Sequence, residues 1–142
     1  MQSSFIRYQH TDPQRYVIRG AQEFCNEYLC AQLLGKVPSD TIWHSIEDTC
    51  NNYKTYDEHK GLTENVARLS SVIFRRCEQQ FGNIFERLTG KDLMDKVDAF
   101  LTEMEKEDER ADTLQWIDQE RKFGRFDKAG YDEARRTVKD SN

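Results

Sequence analysis

The sequence predicts an all-α protein, a compact helical bundle of six to eight short amphipathic helices. Apolar residues recur at helical spacing nearly everywhere in the 142 residues, and no stretch alternates apolar and polar residues long enough for a strand. The two prolines, Pro13 and Pro38, both stand where helices begin. We therefore expect a single domain over residues 1–142, with a polar tail at 139–142.

Capping residues and a glycine define the first two helices. Asp12 followed by Pro13 starts the first helix, because Asp caps and Pro fits the first turn, and Gly35 ends it. Ser39 or Asp40 caps the second. Their inner stripes are Val17, Phe24, Tyr28, Leu29 and Leu33 in the first helix, and Ile42, Ile46, Cys50 and Tyr53 in the second.

The most apolar part of the chain, residues 66–85, supplies the predicted central helices. Thr63 opens a third helix after Gly61, Phe81-Gly82 interrupts it, and a short helix continues over residues 84–88 until Gly90. The inner positions of these two helices are Val66, Leu69, Ile73, Cys77, Ile84, Phe85 and Leu88.

Three further segments complete the predicted bundle. Residues 93–104 form an amphipathic helix, and the charged run over 103–112 is solvated. A short helix carries Leu114, Trp116 and Ile117 until Gly124 breaks it, and a last helix covers residues 126–138.

Composition narrows the classes of partner and compartment. A net charge of -5 gives no basic footprint for nucleic acid and disfavours adsorption to an anionic membrane. The four cysteines form no CxxC pair and lack zinc-ligand spacing, so we expect free thiols and no cofactor. With no signal peptide and no membrane-spanning apolar run, these thiols indicate a soluble cytoplasmic protein.

The titratable residues do not assemble a catalytic motif. His44 and Asp48 share a helix face near Cys50, but one turn of helix supplies no oxyanion donors. The consecutive carboxylates after residue 103 are typical of a solvated face. Phosphate loops, nucleophile elbows and metal-binding helices are absent from the sequence, so we expect no enzyme activity.

Two stretches place an aromatic residue beside a glycine in this charged sequence. They are residues 80–85, with Phe81-Gly82, and residues 116–126, with Phe123-Gly124. A glycine beside a buried aromatic marks a close approach of backbone or ligand. The two stretches therefore favour a binding groove.

In their order along the chain, these segments resemble the Bcl-2 family of apoptosis regulators. Leu69–Phe74 is similar to the helix before the family's first homology motif, and Phe81-Gly82 to that motif's aromatic–glycine pair. Trp116–Phe126 is similar to the second motif, Ile46–Tyr53 to the third-motif helix, and Tyr16–Leu34 to the amino-terminal helix.

The resemblance implies a Bcl-2-like bundle with a central helical hairpin and an anti-apoptotic function. Such a protein sequesters the BH3-type helices of pro-apoptotic host proteins in a hydrophobic surface groove. It would reach mitochondria through those partners. The compact form without an anchor is similar to viral pro-survival homologues. The implied groove residues are Tyr53, Tyr56, Leu62, Leu69, Val72, Ile73, Arg76, Phe81, Gly82, Asn83, Phe85 and Arg87.

The chain departs from the family's motifs at one position that matters for binding. Asn83 stands where the family has an arginine that pairs with an aspartate of the bound helix. We expect Arg87, one turn on, or Arg76 to take that role.

Charges in the hairpin segment over residues 86–96 make stable insertion into a bilayer costly. The alternative is a helical scaffold that self-associates, for instance as a homodimer, over the same apolar patch.

Overall fold

A computed structural model describes residues 12–140, and this range is helical without a strand, which confirms the predicted all-α class. Five helices follow one another: α1 (Pro13–Leu33), α2 (Ser39–Asn51), α3 (Leu62–Phe81), α4 (Gly90–Lys122) and α5 (Lys128–Asp140). The chain divides into two compact units, one of residues 12–101 and one to which residues 102–140 belong. Of the predicted polar tail, Lys139 and Asp140 end α5, whereas Ser141 and Asn142 lie outside the described residues.

The start of α1 follows the predicted capping chemistry, whereas the start of α2 does not. The Asp12 carboxylate accepts a hydrogen bond from the Arg15 backbone N–H at 3.1 Å, and Pro13 occupies the first turn of α1. Pro38 stands at the N-cap of α2, so Ser39 and Asp40 lie inside the helix and no side chain caps it, contrary to the prediction. Helix α3 ends at Phe81, and the following Gly82 has a φ of 87°, which suits a residue without a Cβ.

The core of the first unit lies among α1, α2 and α3, which pack against one another pairwise. Phe24 and Tyr28 of α1 stack with ring centroids 5.8 Å apart, and Phe74 of α3 lies 5.5 Å from Tyr28. Phe85 and Phe100 close this aromatic cluster at 6.1 Å from Phe74 and 5.6 Å from Phe24. The largest fully buried side chains are Tyr16, Phe74, Leu29, Leu33, Ile42, Ile46, Leu69, Ile73, Val17, Val66 and Val97.

The number of helices was predicted wrongly, since the described residues form five and not six to eight. Helix α4 is continuous through the charged run that was expected to separate two helices. Between Lys91 and Phe123 the chain has no glycine or proline, and its Glu, Lys and Arg residues are good helix formers.

The short helix predicted at 84–88 is absent as well. Residues 82–89 contain no helical turn and run from Gly82 to the start of α4. We call this segment the strap. It has too few residues to repay helix nucleation, and its backbone groups bond to side chains of α1 instead.

Asn65 organises the loop between α2 and α3. Its buried Nδ2 donates to the carbonyls of Asp57, Lys60 and Gly61 at 3.0–3.1 Å, and its Oδ1 accepts from the Asp57 N–H at 3.0 Å. One side chain therefore holds residues 57–61 against the first turn of α3.

None of the helices within residues 12–140 combines the length and the apolar character that crossing a bilayer would need.

Candidate functional site

The exposed edges of α2 and α3 meet along a polar seam. Ser45 Oγ donates to Gln80 Oε1, and Asp48 forms an ion pair with Arg76. Residue numbers rise on α2 as they fall on α3, so the two helices are antiparallel. Together with His44, these residues line a shallow depression of about 260 Å³.

One face of α3 beside this seam is strongly basic around an apolar residue. Arg68, Val72, Arg75 and Arg76 follow helical spacing and share about a third of the helix circumference. The Val72 side chain is 42% exposed. Arg68 pairs with Asp57 at 3.7 Å, whereas Arg75 has no ion-pair partner within the described part of the chain. We call these four residues the basic face of α3.

Tyr53 lies at the end of the seam near Arg68 and Tyr56. Its hydroxyl is buried and has no hydrogen-bond partner among residues 12–140. Burial raises the pKa of the Tyr53 phenol to about 12, and the nearby Arg68 charge opposes that rise only in part. Tyr56 and Leu62, also predicted as groove wall, are half-buried in the same loop and at the start of α3.

Two predicted groove residues lie in the core instead. Leu69 and Ile73 are 1% and 0% exposed, and both are on the inner face of α3. No ligand can contact these side chains without unpacking α3. They stabilise the helix that carries Val72 and Arg76.

The aromatic–glycine stretch lies on the opposite side of α3 from the basic face. Phe81 follows Val72 by nine residues, which is about two and a half turns of a helix with 3.6 residues per turn, so the two side chains lie on opposite faces. Gly82, Asn83 and Phe85 follow in the strap, with Phe85 half-buried against Phe74. The twelve predicted residues therefore do not line one groove.

Side chains of α1 hold the strap through its backbone. The Tyr28 hydroxyl donates to the Glu86 carbonyl at 2.7 Å, and Gln32 Oε1 accepts from the Glu86 N–H at 2.7 Å. Lys36 Nζ donates to the Ile84 carbonyl at 3.4 Å. Tyr28 and Gln32 are four residues apart and therefore share a face of α1, whereas Lys36 lies in the turn that follows the helix. The polar ends of these side chains gave no reason to expect a partner in the strap.

Arg76 and Arg87, the two candidates for the role of the missing motif arginine, lie on opposite sides of α3. Arg87 Nη1 pairs with Glu78 Oε1 at 2.8 Å and so fastens the end of the strap to α3. Glu78 is two residues from Arg76, which places it on nearly the opposite side of the helix. Arg76 belongs to the basic face, whereas Arg87 lies at the strap.

The structure separates the cysteine considered for catalysis from the histidine and the aspartate. His44 and Asp48 are exposed and line the depression, but Cys50 is buried and points into the core. Burial raises the pKa of the Cys50 thiol to about 12, so its thiolate is scarce at neutral pH. Within residues 12–140, no group of three or more His, Cys, Asp or Glu side chains could hold a metal ion.

The second aromatic–glycine stretch belongs to the second unit. Trp116 lies within α4 with its ring 6.4 Å from that of Phe126, and Gly124 ends the helix with a φ of 79°. Trp116 and Phe123 are both exposed, whereas Ile117 is buried.

No protein-family model, curated protein or solved structure matches the chain.

Proposed function

We propose that the basic face of α3 binds an acidic amphipathic helix, and that the chain is a Bcl-2-like inhibitor of apoptosis that sequesters BH3-type helices. The observation that carries the proposal is Val72, an exposed apolar side chain surrounded by three arginines, one of which has no ion-pair partner in the part of the chain that the structure describes. An amphipathic helix with one apolar anchor and flanking carboxylates is complementary to that surface. The apoptotic role rests on the resemblance of the motifs.

Arg76 is the residue that we propose to receive the ligand's aspartate. Its present partner is Asp48, and both side chains are about half exposed. Exposed ion pairs contribute only about 0–1 kcal/mol. A ligand carboxylate can therefore replace Asp48 at small cost, and it gains a charge-assisted hydrogen bond when it does so.

The test is calorimetric titration of the purified chain with a panel of BH3-type peptides. We expect at least one dissociation constant better than ~10 μM, which corresponds to about 7 kcal/mol. Arg76→Ala should weaken that binding roughly tenfold, the scale of a charged hydrogen bond. Asp48→Asn should strengthen it by up to about fivefold, because it releases Arg76.

Arg87→Ala is the matched control, since Arg87 is also ion-paired but lies at the strap. The Arg87→Ala variant should bind the peptides with the affinity of the wild type. If Arg87→Ala weakens binding and Arg76→Ala does not, the salt bridge belongs at the strap. If no peptide reaches ~10 μM, the sequestering function is excluded.

Self-association is the second candidate function, and one observation favours it. Leu34, 79% exposed, and Ile84, 38% exposed, both lie near the carboxyl end of α1, where Lys36 contacts the Ile84 carbonyl. Two copies could cover this patch together. A concentration-dependent dimer in sedimentation equilibrium, lost in Leu34→Asp, without any peptide binding, would favour this alternative.

A further inference from the structure

The turn between α4 and α5 combines exposed aromatic rings with an excess of cations. Residues 121–128 carry four cations, Arg121, Lys122, Arg125 and Lys128, and one carboxylate, Asp127. Phe123, at the end of α4, is 70% exposed. We call residues 121–128 the aromatic corner.

The corner is a fixed turn that holds Phe123 outwards. The Gly124 N–H donates to the Arg121 carbonyl at 3.0 Å, and the Arg125 N–H donates to the Glu120 carbonyl at 2.9 Å. Arg121 Nη1 bonds the Phe126 carbonyl at 3.0 Å across the turn. A rigid, exposed Phe costs little ordering entropy when it enters an apolar environment.

Trp116 extends the apolar surface along the same side of α4. It precedes Phe123 by seven residues, which is two turns and about 10 Å of helix. Trp116 is 54% exposed, and its ring meets Phe126 edge-on. An interfacial helix lies in the plane of the membrane with its apolar face at the boundary between headgroups and acyl chains, so two rings on one side of a helix reach that boundary together. Trp is also the side chain that favours the headgroup level.

Two of the cations are available to a ligand. Arg125 pairs with Glu120 at 2.7 Å and lies over the Phe123 ring, and Arg121 is bonded to the turn. Lys122 and Lys128 are exposed, and neither has an ion-pair partner within residues 12–140. Lys122 directly precedes Phe123 and Lys128 begins α5 on the other side of the turn, so the corner offers one exposed ammonium group from each helix.

We infer that the aromatic corner docks on an anionic lipid surface, with Phe123 inserted at the headgroup level and the two lysines at lipid phosphates. A second copy of the corner is a poor occupant, because it would bring its own cations against these. The net charge of -5 is spread over the whole chain, whereas contact with a surface is decided within a Debye length of about 8 Å. With Glu120 counted beside Asp127, the corner still carries four cations against two carboxylates. This surface is distinct from the basic face of α3.

The experiment is co-sedimentation of the full chain with phosphatidylcholine vesicles, with and without phosphatidylserine. We expect binding only to the anionic vesicles. Phe123→Ala should weaken it roughly tenfold. Lys122→Glu combined with Lys128→Glu should weaken it about 25-fold or more, at about fivefold for each lost charge.

Leu34→Ala and Lys54→Glu are the matched controls, since they remove an exposed apolar residue and an exposed cation elsewhere. Both should bind as the wild type does. In a Trp43→Phe background, Trp116 fluorescence should shift to the blue on anionic vesicles. Three results would overturn the lipid assignment. They are equal binding to both vesicle types, unchanged vesicle binding of the Phe123→Ala variant, and binding to a single-stranded oligonucleotide but not to vesicles.

Discussion

Asn65 is a residue for which hydrogen bonding outweighs packing. It is 1% exposed, yet its amide makes four hydrogen bonds to the backbone of the α2–α3 loop. A buried amide is tolerable in a helix interior only because all of its groups are paired. Replacing it removes the side-chain partner of the Lys60 carbonyl and of the Asp57 N–H. The Asp57 and Gly61 carbonyls keep the backbone N–H groups that they also accept.

Asn65→Ala should therefore lower the free energy of unfolding by about 2–3 kcal/mol, since an unsatisfied buried group costs about 1–3 kcal/mol. Urea denaturation would measure the loss. Asn52→Ala is the control, because Asn52 is exposed and makes one bond, to the Asp48 carbonyl. It should cost under about 1 kcal/mol. Equal losses in the two variants would contradict the role given to Asn65.

At the scale of the element, the strap is the segment whose secondary structure was predicted least well from the sequence. Apolar residues at helical spacing predicted a helix at 84–88, but Phe85 is half-buried against Phe74 without one. The same spacing of apolar residues is also compatible with a short extended segment that buries one aromatic ring. Periodicity over five residues cannot distinguish a helix from an extended segment, whereas α1 and α3 each repeat the pattern for five turns or more.

The candidate site was predictable only in part for the same reason. Val72 and Arg76 share a face because α3 is regular, and helical spacing alone locates them. Phe81 and Phe85 were assigned to the same groove, but their position depends on where α3 ends and how the strap returns. Those are set by the φ of Gly82 and by bonds from α1, 50 or more residues away in sequence.

Substituting two tyrosines by phenylalanine distinguishes the stability contributed by a hydrogen bond to the strap from that contributed by ring packing. The Tyr28 hydroxyl donates to the strap at the Glu86 carbonyl, whereas the Tyr53 hydroxyl is buried without a partner in the described residues. Tyr28→Phe should destabilise by about 1 kcal/mol and speed hydrogen exchange of the strap amides. Tyr53→Phe removes an unsatisfied group and should leave stability equal or higher. The prediction fails if both substitutions destabilise equally in urea denaturation.

At the scale of the whole molecule, three buried thiols make stability depend on alkaline pH. Cys25, Cys50 and Cys77 are at most 2% exposed and come from α1, α2 and α3. Burial raises the pKa of all three, to about 12 for Cys50 and about 11 for Cys77. Cys30 is half-buried on the outside of α1 and serves as the comparison.

The direction in which stability changes with pH follows from the number of protons bound by the folded and unfolded chains. In the unfolded chain these thiols ionise near the ordinary pKa of about 8.5, while the folded chain keeps its protons until pH 11–12. The unfolded state then binds fewer protons, so stability falls as pH rises. The contribution is complete below about pH 8.5 and is lost towards pH 11–12, at up to about 1.4 kcal/mol per pH unit for each thiol.

Urea midpoints measured from neutral pH up to about pH 9.5, below the ordinary tyrosine pKa of about 10, should therefore decline steeply as the pH rises. The double variant Cys50→Ala, Cys77→Ala should make that slope shallower whatever its stability at neutral pH, because two of the three core thiols no longer titrate and only Cys25 remains. Cys30→Ala should keep the wild-type slope more nearly, since Cys30 is less buried. An equal slope in all three proteins would mean that the alkaline loss comes from other groups and that the core thiols are not responsible.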